Sequence, residues 1–249
     1  MQRYAKISRV VDLREAGKNR RRRQILDAAR ELIETDGRQA LSMRRLAECA
    51  QLSTRTLYNL YGAKEDILYA LMAESVREVD AKLAKLAPTD PLERSRVMLT
   101  VSIDQLCSRT AFNRALYRGF EVEVDRARNF EVMSLARGRQ QSVLEAAQEQ
   151  GLLQKSVSPR VLAHHIITGY GNAVRLWCRE VLDSDQLKAH TLHLRALCLL
   201  AVAVPATRTR LEREVEALEP DMQAVVARLA DLANAPTPLA ATGEALVRR

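Results

Sequence analysis

Residues 41–68 read LSMRRLAECAQLSTRTLYNLYGAKEDIL, and this stretch decides the fold of the first part of the chain. It predicts two short helices, the first capped by Ser42 and the second by Ser53, joined by a tight connection at residues 50–52. The preceding helix carries apolar residues at helical spacing and can brace the pair. A short, firmly held second helix with one polar face fits a DNA major groove about 12 Å wide. The stretch therefore predicts a helix-turn-helix.

The net charge of the chain is concentrated around this motif. Residues 1–64 hold 15 of the 39 basic and 7 of the 31 acidic residues, whereas residues 65–249 hold 24 of each. The whole excess of +8 therefore lies in the first quarter of the chain. A bare charge run is more often a solvated tail. Here the basic segment continues into a folded motif, which favours a polyanionic partner.

The rest of the composition predicts an all-α protein. The chain has only 9 Gly and 7 Pro among 249 residues, and no segment alternates β-branched and polar residues as a strand would. We expect a three-helix DNA-binding domain at the N-terminus, followed by a larger helical domain. No apolar run approaches the roughly 18 residues of a membrane span, and no signal peptide is visible. We therefore expect a cytoplasmic protein with no membrane partner, which a DNA-binding role would make nucleoid-associated.

The helix-turn-helix stretch resembles the DNA-binding signature of the tetracycline-repressor (TetR) family. The positions that match are Ser53, Thr56, Tyr58, Lys64, Glu65 and Leu68, with Tyr61 where Phe is usual. Two positions depart from the pattern. Gln51 stands where the family has Gly in the turn, and a left-handed backbone there would cost roughly 1 kcal/mol. Leu60 replaces the common His or Tyr, a residue that the family uses for one contact to the DNA backbone.

The resemblance implies a role for each part of the motif. Arg55 is the best candidate to read a base, since arginine pairs with guanine O6 and N7. Arg44 and the run Arg20–Arg23 are phosphate contacts or a minor-groove arm. The full set of candidate DNA-binding residues is Ser42, Arg44, Ser53, Thr54, Arg55, Thr56, Tyr58, Asn59, Tyr61 and Lys64. In the alternative interpretation Tyr58 and Tyr61 are core aromatics and Lys64 is a solvated helix start.

The resemblance also implies an organisation for the whole chain. Residues 1–18 form a basic arm, 19–65 the DNA-binding domain, 66–233 an effector-binding and dimerisation domain, and 234–249 a disordered tail. The homodimer forms through helices near 159–182 and 185–204, the first of which holds two closely spaced glycines at 169 and 171. Within the large domain, Pro220 predicts a break between amphipathic helices at 206–219 and 221–233.

An effector pocket follows from the family rather than from a motif. The candidate lining residues are Tyr117, Arg118, Phe120, Glu121, His165, Tyr170 and Trp177. The expected ligand is a small apolar or amphipathic molecule that binds between helices four to eight and shifts the fourth helix. His165, on a largely apolar face, is equally explained as a hydrogen-bonded core histidine. We expect no cofactor.

The function that these features predict is sequence-specific regulation of transcription, most commonly repression relieved by the effector. Enzyme motifs are missing from the sequence: there is no Gly-x-Ser-x-Gly and no phosphate loop. We expect no metal site, because His190 and His193 have no nearby cysteine, and His164 and His165 point about 100° apart on a helix. The alternative is a helical protein–protein adaptor with a vestigial motif, which would show no salt-dependent affinity for duplex DNA.

Overall fold

The computed structural model describes residues 2–86, 88–118 and 126–234, and all of their side chains except those of residues 2–14, 126–132 and 233. The described residues confirm the all-α fold class, with no β-strand among them. The helices are α1 (Gln2–Asp36), α2 (Met43–Cys49), α3 (Thr54–Tyr61), α4 (Lys64–Leu86), α5 (Pro91–Cys107), α6 (Thr110–Arg118), α7 (Arg126–Glu149), α8 (Pro159–Cys178), α9 (Ser184–Leu200) and α10 (Pro205–Asn234). A short 3₁₀ turn lies at Arg38–Ala40. Two compact units divide the chain, Met1–Ala136 and Arg137–Arg249.

The first unit has one core that serves the helix-turn-helix and the helices after it. Apolar residues of α1, α2 and α3 are buried together with Ile67, Leu68, Leu71 and Met72 of α4. Phe112 and Leu116 of α6 complete this core, so residues beyond 65 bury the same surface as the motif. The functional boundary expected at 65/66 thus falls inside one compact unit, because α4 to α6 pack with α1 to α3.

The first helix is longer than the sequence predicts. The segment 1–18, expected to be a separate arm, is helical from Gln2 and continuous with the bracing helix. Residues 1–18 were expected to be an arm because their apolar periodicity is weak. Such periodicity indicates which face of a helix packs against the protein, not whether a helix forms. Extending an existing helix by further residues costs little free energy where proline is absent. In addition, Lys18 Nζ pairs with Glu15 Oε1, one helical turn away, at 2.7 Å. The basic segment is therefore a helical extension of α1.

In the second unit, α8 and α9 pack closely at a glycine. A Cβ built on Gly169 would lie 1.8 Å from Leu194 Cδ2 of α9, so the space that the missing side chain leaves is filled by leucine. The close approach that the glycine predicts is thus made within the chain, by a side chain of the neighbouring helix. Buried Leu162, Ile166 and Trp177 of α8 lie on its inner face.

The last helix of the second unit runs through a proline. We expected Pro220 to split residues 206–219 from 221–233, but α10 is a single helix with Pro220 inside it. Leu211 and Val225, four turns apart on one face, are both fully buried and hold α10 on either side of the proline. Glu216, whose carbonyl loses its hydrogen bond at the proline, is exposed, so water can solvate it.

Two ion pairs join α10 to α9. The guanidinium of Arg195, which is almost fully buried, donates to Glu214 Oε1 at 2.8 Å. The Nε2 of His193 lies 2.9 Å from Glu219 Oε2. Because both carboxylates precede Pro220 within two turns, they add to the contacts that keep this part of α10 on α9 despite the missing backbone hydrogen bond.

The C-terminal tail expected over residues 234–249 lies outside the described residues from residue 235 onward. Its first residue, Asn234, is the last residue of α10. No helix in the described part of the chain is long and apolar enough to cross a membrane.

Candidate nucleic-acid interface

Both helices of the motif begin at the serines that the sequence predicts as caps. The Oγ of Ser42 accepts a hydrogen bond from the Arg45 amide at 3.2 Å, and the Oγ of Ser53 accepts one from the Thr56 amide at 3.2 Å. The hydroxyls of Ser53 and Thr56 also lie 2.8 Å apart. These bonds satisfy amides that would otherwise be free at each helix start and fix where α2 and α3 begin.

The turn between α2 and α3 uses a left-handed residue that is not glycine. Gln51 has φ of 51°. Its amide donates to the Glu48 carbonyl at 3.1 Å, and the Leu52 amide donates to the Ala47 carbonyl at 3.0 Å. This pair of bonds is a Schellman C-cap, in which the residue after the cap takes the left-handed conformation. The family pattern has glycine at this position for that reason, and the chain keeps the turn at a conformational cost.

Replacing Gln51 with glycine is expected to raise the free energy of unfolding by about 0.5–1 kcal/mol, because the left-handed penalty exceeds the entropy lost by a freer unfolded chain. Urea denaturation followed by circular dichroism measures the change. Gln51→Ala is the control and is expected to give no gain, since alanine keeps the penalty. A lower stability for the glycine variant would contradict the assignment of strain to this turn.

One side of α3 is anchored and the other is open. Leu57 is fully buried, whereas Arg55, Tyr58 and Asn59 are exposed and Thr54 is half-buried. Tyr58 is 53% exposed, which argues against the core-aromatic interpretation for this residue. Helix α3 thus presents a polar face with a cation, held by a buried leucine behind it.

One member of the predicted DNA-binding set, Tyr61, also contacts the core of the first unit. Tyr61 is half-buried, packs against the core of the first unit, and donates its hydroxyl to the Arg22 carbonyl of α1 at 3.4 Å. Burial raises the pKa of the Tyr61 phenol above its ordinary value, so it remains a neutral donor. Leu60, the second departure from the family pattern, also packs against this core. For Tyr61 the core interpretation is therefore the better one.

Basic residues stand on α1 and α2 and at the start of α4, as well as on α3. Arg55 and Lys64 make no hydrogen bond or ion pair with the described residues, so both are available to a ligand. Arg20, Arg21 and Arg23 are exposed on α1. Arg44 is exposed and pairs with Glu48 at 3.2 Å, an exposed contact that a phosphate can replace at little cost. The Gln24 side chain of α1 donates to the Ala50 carbonyl at 2.7 Å, which ties α1 to the turn.

One known protein family matches the segment that contains these helices. The family described as bacterial regulatory proteins, tetR family, matches residues 25–71, from the buried part of α1 to the first half of α4. Residues 25–71 of this chain thus match the DNA-binding segment of the TetR family. The matched segment contains both serine caps, the left-handed turn and the whole of α3.

Two curated relatives agree with the TetR assignment. The chain is 28% identical over 109 residues to the HTH-type transcriptional repressor KstR of Rhodococcus jostii, covering 44% of this chain and 51% of that protein. It is 31% identical over 90 residues to KstR of Mycolicibacterium smegmatis, covering 35% of this chain and 44% of that protein. The chain thus spans about half the length of these curated relatives.

Two solved structures of bacterial regulators have a similar fold. SmeT, the repressor of the Stenotrophomonas maltophilia multidrug efflux pump SmeDEF, aligns with a TM-score of 0.61 at 16% identity, covering 74% of this chain and 91% of SmeT. The fatty acid degradation regulator FadR of Bacillus halodurans aligns with a TM-score of 0.58 at 21% identity, covering 72% of this chain and 94% of FadR. At these identities the likeness concerns the fold alone.

The TetR resemblance also suggested effector residues; among the described residues two of them lie in the first compact unit and three in the second. In the first unit Tyr117 is half-buried against the core and Arg118 is exposed. In the second unit His165 is exposed, while Tyr170 and Trp177 are buried. The indole Nε1 of Trp177 lies 3.3 Å from Ser184 Oγ, a contact within the core of that unit. The remaining candidates, Phe120 and Glu121, lie outside the described residues.

The first unit contains a cavity of about 490 Å³ lined by residues of α1 and α4 to α6, and by Ser108 and Arg109 between α5 and α6. None of the candidate effector residues lines it. Sequence reasoning missed Arg30, Glu74, Arg109 and Asn113 because they are spread over 84 positions and form no motif. Within the described residues no cluster of three or more His, Cys, Asp or Glu side chains could hold a metal ion.

Proposed function

We propose that this protein is a sequence-specific DNA-binding regulator of transcription, most simply a repressor, that acts as a dimer and leaves its operator when a small molecule binds. The observation that carries the proposal is helix α3. It is anchored by fully buried Leu57 and presents Arg55, Tyr58 and Asn59 to solvent, within a segment that holds the whole net charge of the chain. A rigid polar helix with an unpaired arginine suits base reading in a major groove.

The side chains of the interface divide into two classes by position. Thr54, Arg55 and Thr56 stand at the start of α3, the end that enters the groove in helix-turn-helix proteins, and they are proposed to reach base edges. Lys64 begins α4, and Ser42 is exposed at the start of α2; both are proposed to contact phosphates. Further phosphate contacts come from Arg44, Ser53, Tyr58 and Asn59 and from the arginines of α1.

We propose that DNA binding and effector binding are assigned to the two parts of the chain that the sequence predicts. The DNA-binding region covers residues 19–65, and residues 66–233 supply the effector site and the dimer interface. In a dimer the two copies of α3 would lie about 34–36 Å apart, one turn of DNA. An effector must bind the two spacings of α3 with different affinity in order to shift the equilibrium, and helix α4 is the element that both regions share.

Replacing Arg55 with alanine is expected to reduce the preference for the operator over random duplex by about 1–3 kcal/mol, because a base contact is lost. Replacing Lys64 with alanine is expected to weaken both duplexes alike and to flatten the salt dependence of log K by about one unit, because a phosphate contact is lost. Fluorescence anisotropy with an operator selected by the protein from random duplex measures both changes.

The two variants are matched controls for each other, since each removes one unpaired cation of the first unit. If Arg55→Ala weakens the operator and random duplex equally, Arg55 is a phosphate contact and the proposed division is wrong. If neither variant changes DNA binding, α3 does not face DNA and the proposal as a whole is rejected.

The proposed dimer interface is the outer face of α8 and α9. Val161 and Leu197 are 45% and 43% exposed, and Leu194, beside Gly169, is partly exposed. On the same stripe of α9, the Nδ1 of His190 is buried without a hydrogen-bond partner in the described part of the chain. Burial lowers the pKa of His190 below its ordinary value, so the ring is neutral near pH 7. A neutral ring costs less free energy to bury against a second copy of the chain than a charged ring would. A second copy of this face would form a four-helix bundle.

Replacing Leu197 with glutamate is expected to convert a dimer into a monomer, because two copies would bury a charge on each side of the interface. Light scattering after gel filtration measures the mass, which is expected to fall from twice 28.0 kDa to 28.0 kDa. Val226→Glu, on the exposed face of α10, is the control and is expected to leave the dimer intact. A dimeric Leu197→Glu variant would place the interface elsewhere.

A further inference from the structure

The cavity of the first unit has walls of paired charges. On one side the guanidinium of Arg30 donates to Glu74 Oε2 at 2.8 Å and lies 5.9 Å from the centre of the Phe112 ring. On the other, Lys82 Nζ donates to Gln105 Oε1 at 2.6 Å. The amide nitrogen of Gln105 in turn donates to Glu78. These contacts hold the wall side chains in place before any ligand arrives.

Three polar groups of the lining are not engaged by the described residues. Asn113 is 4% exposed, and its Nδ2 donates to the carbonyls of Gln105 and Leu106 at 3.3 and 2.7 Å, while its Oδ1 accepts no hydrogen bond from the described part of the chain. The guanidinium of Arg109 and the hydroxyl of Ser75 line the same space and have no partner there either. The Oδ1 of Asn113 keeps accessible surface in the lining, so water or a ligand in the cavity can donate a hydrogen bond to it.

The charges of the lining restrict what can enter. Arg30, Lys82 and Arg109 face two carboxylates, Glu74 and Glu78, so the lining carries one excess positive charge. A monoanion neutralises this excess, whereas a phosphate dianion would be repelled by the two carboxylates. The apolar part of the lining is formed by Leu71 and Phe112 together with an alanine, and the volume of about 490 Å³ is in the range of small-molecule sites.

We infer that this cavity binds a small carboxylate that also carries a hydroxyl or amino group on a short apolar body. The carboxylate pairs with Arg109, which offers two parallel N–H donors. The hydroxyl or amino group donates to Oδ1 of Asn113, and the body lies against Leu71 and Phe112. The site is thus more polar than the apolar effector that the family resemblance suggests.

The position of the cavity gives the ligand a route to the DNA-binding helices. The Arg30–Glu74 pair joins α1, which braces α3, to α4, and both side chains line the cavity. A ligand that competes for either partner changes this connection between the two helices. This regulatory consequence rests on the proposed function, whereas binding of the ligand itself does not.

The test uses 3-(4-hydroxyphenyl)propionate as a probe, because it has one carboxylate, one hydroxyl donor and a short apolar body. Its affinity for the full chain is measured by saturation-transfer NMR titration without DNA, so the result is independent of whether the protein binds an operator. The neutral amide of the same probe tests the charge. The variant Arg109→Gln removes the cation at an exposed position, and Arg213→Gln removes an exposed arginine of α10 outside the cavity as the matched control.

The expected result is saturable binding of the probe that is weakened at least ten-fold by Arg109→Gln and at least ten-fold when the amide replaces the carboxylate. Arg213→Gln is expected to bind the probe as the unmodified protein does. Circular dichroism establishes that each variant is folded, and Arg109→Lys, which keeps the charge, is expected to retain part of the affinity. The inference is overturned if the probe does not bind saturably, or if Arg109→Gln binds it with unchanged affinity.

Discussion

Replacing Trp177 with alanine is expected to lower the free energy of unfolding by about 4 kcal/mol, a loss large enough to unfold a marginal protein. Trp177 is the largest fully buried side chain of the chain's described part, and its removal leaves a cavity in the second unit that the surrounding helices cannot fill. The variant also removes the contact of Nε1 with Ser184 Oγ. Urea denaturation followed by circular dichroism at 222 nm measures the change.

The matched control is Trp177→Phe, which keeps most of the buried volume and is expected to cost less than half as much. The comparison also decides between two roles for Trp177, because the family resemblance made it a candidate effector residue. A variant with unchanged stability and a selective loss of ligand response would contradict the core assignment and place Trp177 in a binding site.

Replacing Leu57 with alanine is expected to cost about 3 kcal/mol of unfolding free energy and to weaken operator binding by about ten-fold or more. Leu57 is the only fully buried residue of α3, as far as the structure describes the helix, and α3 has eight residues. A helix of that length is not stable by itself, so its position depends on the anchor. The loosened helix loses its fixed fit to the groove and must be ordered again when it binds.

Leu60→Ala is the control for this experiment, since Leu60 is only partly buried against the same core. It is expected to cost about half as much or less and to leave most of the operator affinity. Denaturation and anisotropy measurements on both variants separate stability from recognition. If Leu57→Ala binds the operator as tightly as the unmodified chain, α3 is not the recognition element.

Local signals in the sequence predicted the local structure well. The serines at 42 and 53 cap the helices that they were expected to cap, and Asp90 caps α5 by accepting from the amides of Leu92 and Glu93. These signals work because a cap depends on a hydroxyl or carboxylate one turn from free amides, which is a property of adjacent residues. The left-handed Gln51 was likewise foreseeable from the turn.

Features that depend on tertiary contacts were predicted less well. Pro220 predicts a helix break, yet buried Leu211 and Val225 on either side hold α10 together. The compact unit that contains the helix-turn-helix extends to residue 136, because Phe112 and Leu116 of α6 complete its core. Neither outcome can be read from neighbouring residues, since it depends on which distant surface each helix covers.

The candidate site residues likewise include some that local sequence predicts and others that depend on the tertiary fold. The polar face of α3 follows from helical spacing, and Arg55 and Asn59 of the predicted set are exposed on it. The effector residues were chosen by residue type alone, and type does not determine whether a tyrosine or tryptophan lines a cavity or fills a core. The cavity in the first unit is formed by side chains from four helices, which only the fold brings together.

The central claim is that α3 reads DNA sequence, and one titration tests it most directly. The unmodified protein is titrated onto an operator selected from random duplex and onto a shuffled duplex of the same composition, between 50 and 200 mM salt. We predict that log K falls linearly with log salt for both, and that the operator binds roughly 10³-fold or more tightly than the shuffled duplex. Equal affinity for the two duplexes at every salt concentration would contradict the account.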